Sequence, residues 1–208
     1  NGDGGMQRGH GFDAACTFDG LRDGAAIGRS AAQQALQRLD ARRPATTACP
    51  VLMVPEVAAG LVQHLASAVG GSALYGRASF LVEAIGKRIF PERMRIEERP
   101  SLRRGLHSRT HDADGVAAID SPLIDGGTLQ RYLLDGYSAR RLGLETTGNA
   151  GGSGALVVAS GDDDFDALVK RMQRGLVVCG VMGQGVSLVT GDYSRGAGGL
   201  WIEGGEIA

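Results

Sequence analysis

Two stretches of the chain have the apolar spacing of amphipathic helices. In residues 21–39, apolar side chains recur at every fourth position after Asp23, a residue type that caps helix N-termini. In residues 55–69, proline and glutamate open the pattern and Gly70 with Gly71 closes it, which favours a helix between them. We therefore predict one helix in each stretch.

The predicted helix at 55–69 has one apolar and one polar face. Gln63 and Ser67 lie on the polar face with Glu56, and His64 sits at the boundary when residues are placed at 100° intervals. The apolar face consists of Val57, Ala58, Leu61, Leu65, Ala68 and Val69. This face should join the core and leave the polar face available for contacts.

Short apolar runs, many of them next to glycine, predict strands joined by tight turns. These runs are residues 12–18, 49–54, 94–98, 155–159, 176–179, 186–190 and 200–202. The run at 94–98 alternates in the manner of an edge strand. Residues 116–124 and 128–134 flank Asp-Gly-Gly at 125–127, a turn sequence typical of a β-hairpin.

Three further helices complete the pattern. Residues 78–85 could form a short one, Asp135 can cap another that runs to Leu142, and residues 162–174 begin acidic and end basic, as the helix dipole favours. Because strands and helices do not alternate regularly, the predicted fold class is α+β, with antiparallel sheets of short strands and flanking helices. Residues 1–20 are predicted to be an irregular glycine-rich lead-in to a domain at 21–208.

Composition narrows the classes of function. The 208 residues have a net charge of −1 and only 5% aromatic residues, so direct nucleic-acid binding is not expected. No apolar run approaches the ~18 residues of a membrane span, and no signal peptide is evident. The three cysteines, Cys16, Cys49 and Cys179, are far apart and form no C-x-x-C motif, which fits reduced thiols in the cytoplasm.

A histidine-rich segment could hold a metal. His107 and His111 stand four residues apart and are followed by Asp112 and Asp114, a set that would bind zinc if the histidines lay on a helix. The segment has no helical periodicity and lies between glycines, so a solvated loop is the preferred interpretation.

Three other features lack the context that their chemistry needs. Asp162, Asp164 and Asp166 have calcium-loop spacing, but the required glycine and the closing glutamate are missing. The Gly-Gln-Gly at 183–185 is followed by β-prone residues and not by the helix that binds pyrophosphate in dinucleotide-binding proteins. Cys179 lies inside an apolar run, where we expect a buried and unreactive thiol.

Asp192, Tyr193, Ser194 and Arg195 form a polar island with glycine on both sides. Arg195 can bind a carboxylate through its forked guanidinium, or it can pair with Asp192 or with backbone carbonyls. Ser194 lacks the G-x-S-x-G context of a hydrolase nucleophile. We predict that this loop lines a concave surface close to the polar face of the 55–69 helix.

The C-terminal part of the chain has a long, ordered set of motifs. They are Gly183-Gln184-Gly185-Val186, Thr190-Gly191-Asp192-Tyr193-Ser194-Arg195-Gly196-Ala197 and Trp201-Ile202-Glu203-Gly204-Gly205-Glu206-Ile207. They resemble the C-terminal signature of the TldD/PmbA family, and its PmbA branch, also called TldE, more than its TldD branch. Segments at 70–75, 132–135 and 142–150 extend the resemblance over most of the chain. The resemblance implies that an N-terminal domain of the family is absent from this chain, which opens with Asn1 and not with methionine.

The TldD branch of this family has an H-E-x-x-x-H zinc motif on the helix equivalent to 55–69. When the two are aligned from Pro50-Val51, the motif falls on Gln63, His64 and Ala68. The resemblance therefore implies no metal and no catalytic residue in this chain, with zinc in a TldD-like partner. The remaining candidates, for a cleft that contacts a peptide or a partner, are Gln63, Ser67, Asp192, Tyr193, Ser194 and Arg195.

Two functions follow from the resemblance. In the first, the chain is the non-metal subunit of a cytoplasmic two-subunit zinc peptidase that acts on peptides or unfolded proteins, as in microcin maturation. In the second, it is a regulatory module that binds gyrase or a toxin–antitoxin system, since the family is also called modulator of DNA gyrase. A homodimer is possible in either case. A third, weaker alternative makes the chain an enzyme by itself through His107, His111 and the nearby acids.

Overall fold

The computed structural model describes residues 6–208. The chain divides into two compact units, the first made of Asn1–Val57, Asp163–Val181 and Ala197–Ala208, and the second of Ala58–Asp162 and Met182–Gly196. The described residues form a mixture of short helices and strands, as an α+β fold requires. In chain order they are α1 (Gly24–Leu36), β1 (Val51–Met53), α2 (Pro55–Ala68), α3 (Gly71–Tyr75), β2 (Ile96–Glu98), β3 (Ser121–Asp125), β4 (Thr128–Leu129), α4 (Gly136–Leu142), β5 (Leu156–Val158), α5 (Phe165–Met172), β6 (Arg174–Met182), β7 (Gly196–Glu203) and β8 (Glu206–Ile207).

The first unit is built on a four-stranded sheet in the order β1-β6-β7-β8. β1 pairs with β6 in parallel, and β7 pairs with β8 in antiparallel fashion across Gly204 and Gly205, which have φ angles of 61° and 81°. Val177 and Ile202 are buried on the sheet and pack with Val169 of α5. The sheet is therefore mixed, with one parallel pair beside the antiparallel hairpin.

Helices α1 and α5 of the first unit each begin after an aspartate, Asp23 as predicted and Asp164 two residues after the predicted start. The carboxylate of Asp23 accepts a hydrogen bond from the N–H of Ala26 at 3.0 Å, and that of Asp164 accepts one from Ala167 at 2.8 Å. Both are N-cap geometry. The predictions at 21–39 and 162–174 are confirmed within narrower bounds, and Arg174 already belongs to β6.

The second unit contains an antiparallel sheet in the order β4-β3-β2-β5. β3 and β4 form the predicted hairpin, with Asp125 opposite Thr128 and both turn glycines at positive φ (Gly126 54°, Gly127 72°). This is the combination that a two-residue type I′ turn requires. The predicted cap at Asp135 is also confirmed, because its carboxylate accepts a hydrogen bond from Ser138 N at 2.6 Å.

The core of the second unit receives the apolar face of α2. Leu65, Ala68 and Val69 are buried there against residues of α3, β2, β3 and β4. Leu61, which was predicted on the same face, is 38% exposed. The hydroxyl of buried Tyr132 donates to Leu81 O and accepts from Ala84 N, both at 2.8 Å, so it fixes a chain segment that has no regular structure of its own.

Two of the predicted strands are absent. Residues 12–18 form no strand, and the backbone just before them packs on α1, where a β-carbon on Gly9 or Gly11 would overlap the helix carbonyls. Residues 186–190 form a turn, in which Ser187 N donates to Asp192 O and Gly191 N donates to Ser187 O. Only an isolated bridge from Val186 to Tyr193 remains of the expected strand.

Two other predictions are also wrong in part. Residues 78–85 are not helical, since Ser79 and Tyr132 bind their backbone groups, and the short helix α3 lies just before them. β2 is not an edge strand, because it pairs with β3 on one side and with β5 on the other.

Candidate functional site

The polar loop at 190–195 is a closed turn held by its own side chains. Thr190 Oγ1 donates to the carboxylate of Asp192 at 2.6 Å, and Ser194 N donates to Gly185 O at 2.6 Å. Gly191 has a φ of 80°, and a β-carbon there would lie 3.1 Å from the ring of Phe80. A side chain at this position would therefore be strained and crowded, which explains the glycine.

The loop lies beside α2 through one aromatic contact. The ring of Tyr193 meets that of His64 edge to face, with centroids 6.0 Å apart and planes at 68°. His64 is half-buried, and Tyr193 is 39% exposed. The structure thus brings together the two elements from which the sequence predicted a shared surface, and the concavity of that surface stays a prediction.

The two polar candidates on α2 are exposed and contribute little to local structure. Gln63 is exposed, and Ser67 Oγ donates to Gln63 O at 3.0 Å, one turn back along the helix. Neither side chain is buried or paired with a charged group among the described contacts. Both are accessible to a ligand or a partner on the face that also presents His64.

Arg195 binds the backbone in this structure. Its Nε donates to Met182 O at 3.3 Å, and the carboxylate of Asp192 is bound by Thr190. Of the two roles that the sequence left open, backbone pairing is the one described here. Arg195 is half-buried, and its terminal nitrogens are not engaged in any of the described hydrogen bonds, so they can still meet an anion.

The residues at the zinc-motif positions of α2 do not fit a zinc site. Gln63 is a poor ligand, His64 packs against Tyr193, and Ala68 has no donor atom. Ala68 is also only 1% exposed and lies in the apolar core, so its side chain points away from the face of Gln63. Within residues 6–208, no group of three His, Cys, Asp or Glu side chains is placed to hold a metal ion.

In the histidine-rich segment, His111 and Asp112 are held by contacts within the chain. His111 Nδ1 lies 2.9 Å from Thr110 Oγ1, and the His111 backbone bridges to Ala117. Asp112, which is 4% exposed, accepts hydrogen bonds from the backbone N–H groups of Ala150, Val116 and Asp114. Burial alone would raise the pKa of Asp112, but these three hydrogen bonds and the charge of Arg109 together hold the pKa below its ordinary value.

A buried ionic cluster escaped the sequence analysis. Glu98 is 2% exposed and meets Arg131, Arg109, Asn149 and the backbone N–H of Gly154. The signal was present in the alternation of β2, because Glu98 is in phase with Ile96, a core residue. Since its partners come from distant segments, no sequence spacing predicted them.

The two weak motifs have the interpretations that the sequence favoured, whereas Cys179, which was expected to be buried, is half-buried. Asp164 caps α5 and Asp163 pairs with Arg171 at 2.6 Å, so this acidic run serves the helix. No helix follows Gly185, as a dinucleotide-binding loop would require. Burial raises the pKa of the Cys179 thiol, which makes it a poor nucleophile.

Comparison with known proteins shows sequence similarity to proteins described as metalloproteases. Residues 46–208 match the model of the PmbA/TldA metallopeptidase C-terminal domain. The metalloprotease PmbA of Escherichia coli O157:H7 is 42% identical over 207 residues, which cover 100% of this chain and 46% of that protein. A metalloprotease TldD homolog of Haemophilus influenzae is 25% identical over 181 residues, which cover 79% of this chain and 36% of that protein. The chain spans about half the length of the curated relatives that it matches.

Solved structures agree with this similarity. A protein from Bacteroides thetaiotaomicron described as a modulator of DNA gyrase superposes with a TM-score of 0.88 at 28% identity, over 93% of this chain and 44% of that one. TldE from Thermococcus kodakarensis superposes with a TM-score of 0.74 over 88% of this chain and 44% of that one. Because its identity is 23%, it is evidence for the fold alone. Among the described residues, none of the helices is both long and apolar enough to cross a membrane.

Proposed function

Because this chain belongs to the PmbA/TldA metallopeptidase family, we propose that it is the PmbA/TldE-like, non-metal subunit of a cytoplasmic peptidase whose zinc and general base lie in a TldD-like partner. The observation that supports this role most directly is the donor set on α2. Gln63, His64 and Ala68 stand where the family's metal subunit has its ligands and base, and Ala68 faces the apolar core.

The relatives support the same branch. Identity to the PmbA protein is 42%, against 25% to a TldD homolog. A family with both kinds of protein is consistent with a complex between them, and we propose a TldD-like subunit as the partner of this chain. A second copy of the chain could add a homodimer to the assembly.

The contribution of this chain would be to shape a cleft for an extended peptide. The residues that would contact the peptide or the partner are exposed Gln63, Ser67, Asp192, Tyr193 and Ser194 and half-buried Arg195. Arg195 can fork onto a carboxylate, and the phenol of Tyr193 offers both a flat apolar surface and a hydrogen-bonding group. These residues bind and orient, and none of them is required to act as nucleophile or base.

The test is reconstitution of the pair. The chain and a TldD-like subunit are purified separately and together, and hydrolysis of a quenched fluorescent peptide is followed with zinc content measured in each sample. We expect activity and one equivalent of zinc only when the TldD-like subunit is present, and a higher rate for the pair than for that subunit alone. A chain that neither assembles with the partner nor changes its rate would contradict the proposal.

A second function has one observation in its favour. The Bacteroides structure, with a TM-score of 0.88, is described as a modulator of DNA gyrase. As a regulatory module, the chain would bind gyrase or a toxin–antitoxin protein and would need no active site. Pull-down of purified gyrase by this chain, with no effect on peptide hydrolysis by the TldD-like subunit, would favour this alternative.

A further inference from the structure

The second unit contains a cavity that shares no residue with the polar loop or with the polar face of α2. Its volume is about 500 Å³, within the range of small-ligand sites. Five apolar side chains and four exposed polar ones line it, together with buried Tyr132. They are Leu74, Val82, Ile85, Leu142 and Leu144, and Tyr75, Arg77, Glu83 and Arg141.

Arg141, one of the two arginines that line the cavity, lies against an aromatic ring. The guanidinium carbon of Arg141, in the last turn of α4, lies 6.0 Å from the ring centroid of Tyr75. That ring in turn meets the edge of Tyr137 at 5.6 Å and 82°. Because the Tyr75 ring, itself held by Tyr137, restricts the guanidinium, less freedom is lost when it binds an anion.

Two more of the polar lining residues have a left-handed backbone conformation, which glycine adopts more easily than other residues. Arg77 has a φ of 52° and Glu83 a φ of 57°, in the left-handed region that non-glycine residues rarely occupy. Such residues cluster at ligand sites, where the surroundings hold them in place. Arg77 and Glu83, both charged, line the same cavity.

The lining defines the chemistry of a ligand. Two arginines against one glutamate leave an excess positive charge, which favours an anion, and the leucine, isoleucine and valine side chains favour an apolar group attached to it. The hydroxyl of Tyr132 is already bound to Leu81 O and Ala84 N, so it is not a further donor for the ligand. Glu83 can accept a hydrogen bond from an N–H group.

We propose that this cavity binds the C-terminal end of a peptide. The free carboxylate meets Arg141 and Arg77, the last side chain lies on the apolar floor, and a backbone N–H of the peptide donates to Glu83. That the ligand is a peptide rests on the proposed function. The combination of a carboxylate and an apolar group rests on the cavity alone.

Fluorescence anisotropy of the full chain tests the proposal with a labelled short peptide ending in leucine, as free acid and as amide. The free acid should bind about tenfold more tightly, because it alone supplies a charged acceptor to the arginines. Arg141→Gln should remove this preference. Arg77→Asn, whose new residue tolerates positive φ, should weaken it, and Glu83→Gln should raise affinity for the free acid. Arg93→Gln, at an exposed site outside the cavity, is the matched control and should change nothing.

Two results would overturn the proposal: equal binding of acid and amide, or a preference that survives in both arginine variants while thermal unfolding shows them folded. Competition with N-acetyl-leucine and N-acetyl-leucinamide separates this from the proposed function. Selective competition by the carboxylate supports the cavity even if the reconstituted pair cleaves nothing. Equal competition by N-acetyl-leucine and N-acetyl-leucinamide would overturn the cavity proposal even if the pair is an active peptidase.

Discussion

The carboxylate of Glu98 lies directly against the guanidinium of Arg131, with 3% of the glutamate side chain and 17% of the arginine side chain exposed. Asn149 Nδ2 donates to the same carboxylate at 2.7 Å, and Arg109 Nη2 lies 3.6 Å from it. One buried anion therefore joins β2 to three distant segments of the second unit, around Arg109, Arg131 and Asn149. Such a cluster need not add net stability, but the loss of one member leaves the others uncompensated.

We predict that Glu98→Gln destabilises the chain by about 3 kcal/mol, because half-buried Arg131 then has no counter-charge and Arg109 keeps only the more distant charge of Asp112. Urea unfolding followed by circular dichroism measures the change. Glu97→Gln, at the exposed neighbouring position of the same strand, is the control and should stay within about 0.5 kcal/mol of the parent. A loss no larger for Glu98→Gln than for the control would mean that the cluster is dispensable.

Asp112 should make stability depend on acid pH. Its pKa is lowered in the folded chain, so its contribution is complete above the unfolded value of about 3.9 and is lost as the pH falls through the lower, folded value. Asp112→Asn should cost about 1–2 kcal/mol at pH 7, because its amide has one oxygen acceptor in place of two, and the difference from the parent should shrink as the pH falls below about 4.

Unfolding midpoints measured from pH 2 to pH 7 check this, with exposed Glu92→Gln as the control. A difference between Asp112→Asn and the parent that grows on acidification would contradict the sign. The expected pH window lies below that of an ordinary carboxylate, because the folded pKa is shifted downward.

The hairpin at Gly126 and Gly127 offers a matched pair of substitutions. Both residues have positive φ, but a β-carbon on Gly127 would overlap Phe90 O and lie 2.6 Å from Pro91 O, whereas one on Gly126 would find its nearest atom 3.9 Å away. Gly126→Ala should cost about 1–2 kcal/mol for the left-handed backbone, and Gly127→Ala about 3 kcal/mol or more because overlap is added. Thermal unfolding of the two variants gives the comparison, and equal losses would show that the chain at 89–94 yields freely.

The hairpin also shows what the sequence could specify. Its turn residues, the caps Asp23, Asp135 and Asp164, and the two faces of α2 are local signals, and each is present in the structure. The α+β class follows from them. The parallel pairing of β1 with β6 has no such signal, since it joins segments more than a hundred residues apart.

The wrong predictions fall where contacts outside the local pattern decide the structure. Residues 78–85 have helix-like composition, but the hydroxyl of distant Tyr132 binds Ala84 N. Residues 186–190 have strand-like composition, but their backbone bonds to Asp192 O and to Phe80 N hold a turn. The same holds for the candidate site. The sequence identified the loop at 192–195 and the helix at 55–69 separately, and only the fold places Tyr193 beside His64.

Arg195→Ala should weaken the function of the polar loop. The variant loses a hydrogen bond to Met182 O and the cation of the polar loop, so we expect about a tenfold fall in peptide turnover or partner affinity with little change in stability. Arg93→Ala, which removes an exposed arginine outside this loop, is the control. If Arg195→Ala keeps wild-type turnover and assembly, the role of Arg195 is limited to its hydrogen bond with Met182 O.

The last prediction concerns metal. A zinc peptidase needs three protein ligands, an open coordination position and a base, and α2 offers only Gln63, His64 and Ala68. We therefore predict that the chain alone contains no stoichiometric zinc and hydrolyses no peptide. Elemental analysis of the purified chain, before and after dialysis against a chelator, is the measurement. One zinc per chain, lost to chelator together with peptidase activity, would overturn this and direct attention to His107 and His111.

Rebuilding the motif should fail for a reason visible in the core. The triple variant Gln63→His, His64→Glu, Ala68→His places an imidazole where 1% of the alanine is exposed, among the apolar residues packed on α2. Overpacking and a buried polar ring should cost about 1–3 kcal/mol, and a third ligand would still be missing. The double variant without Ala68→His should keep parental stability, which separates the packing cost from the surface changes. Tight zinc binding by a stable triple variant would show that α2 can turn this face toward solvent, and the assignment of Ala68 to the core as a bar to metal would be wrong.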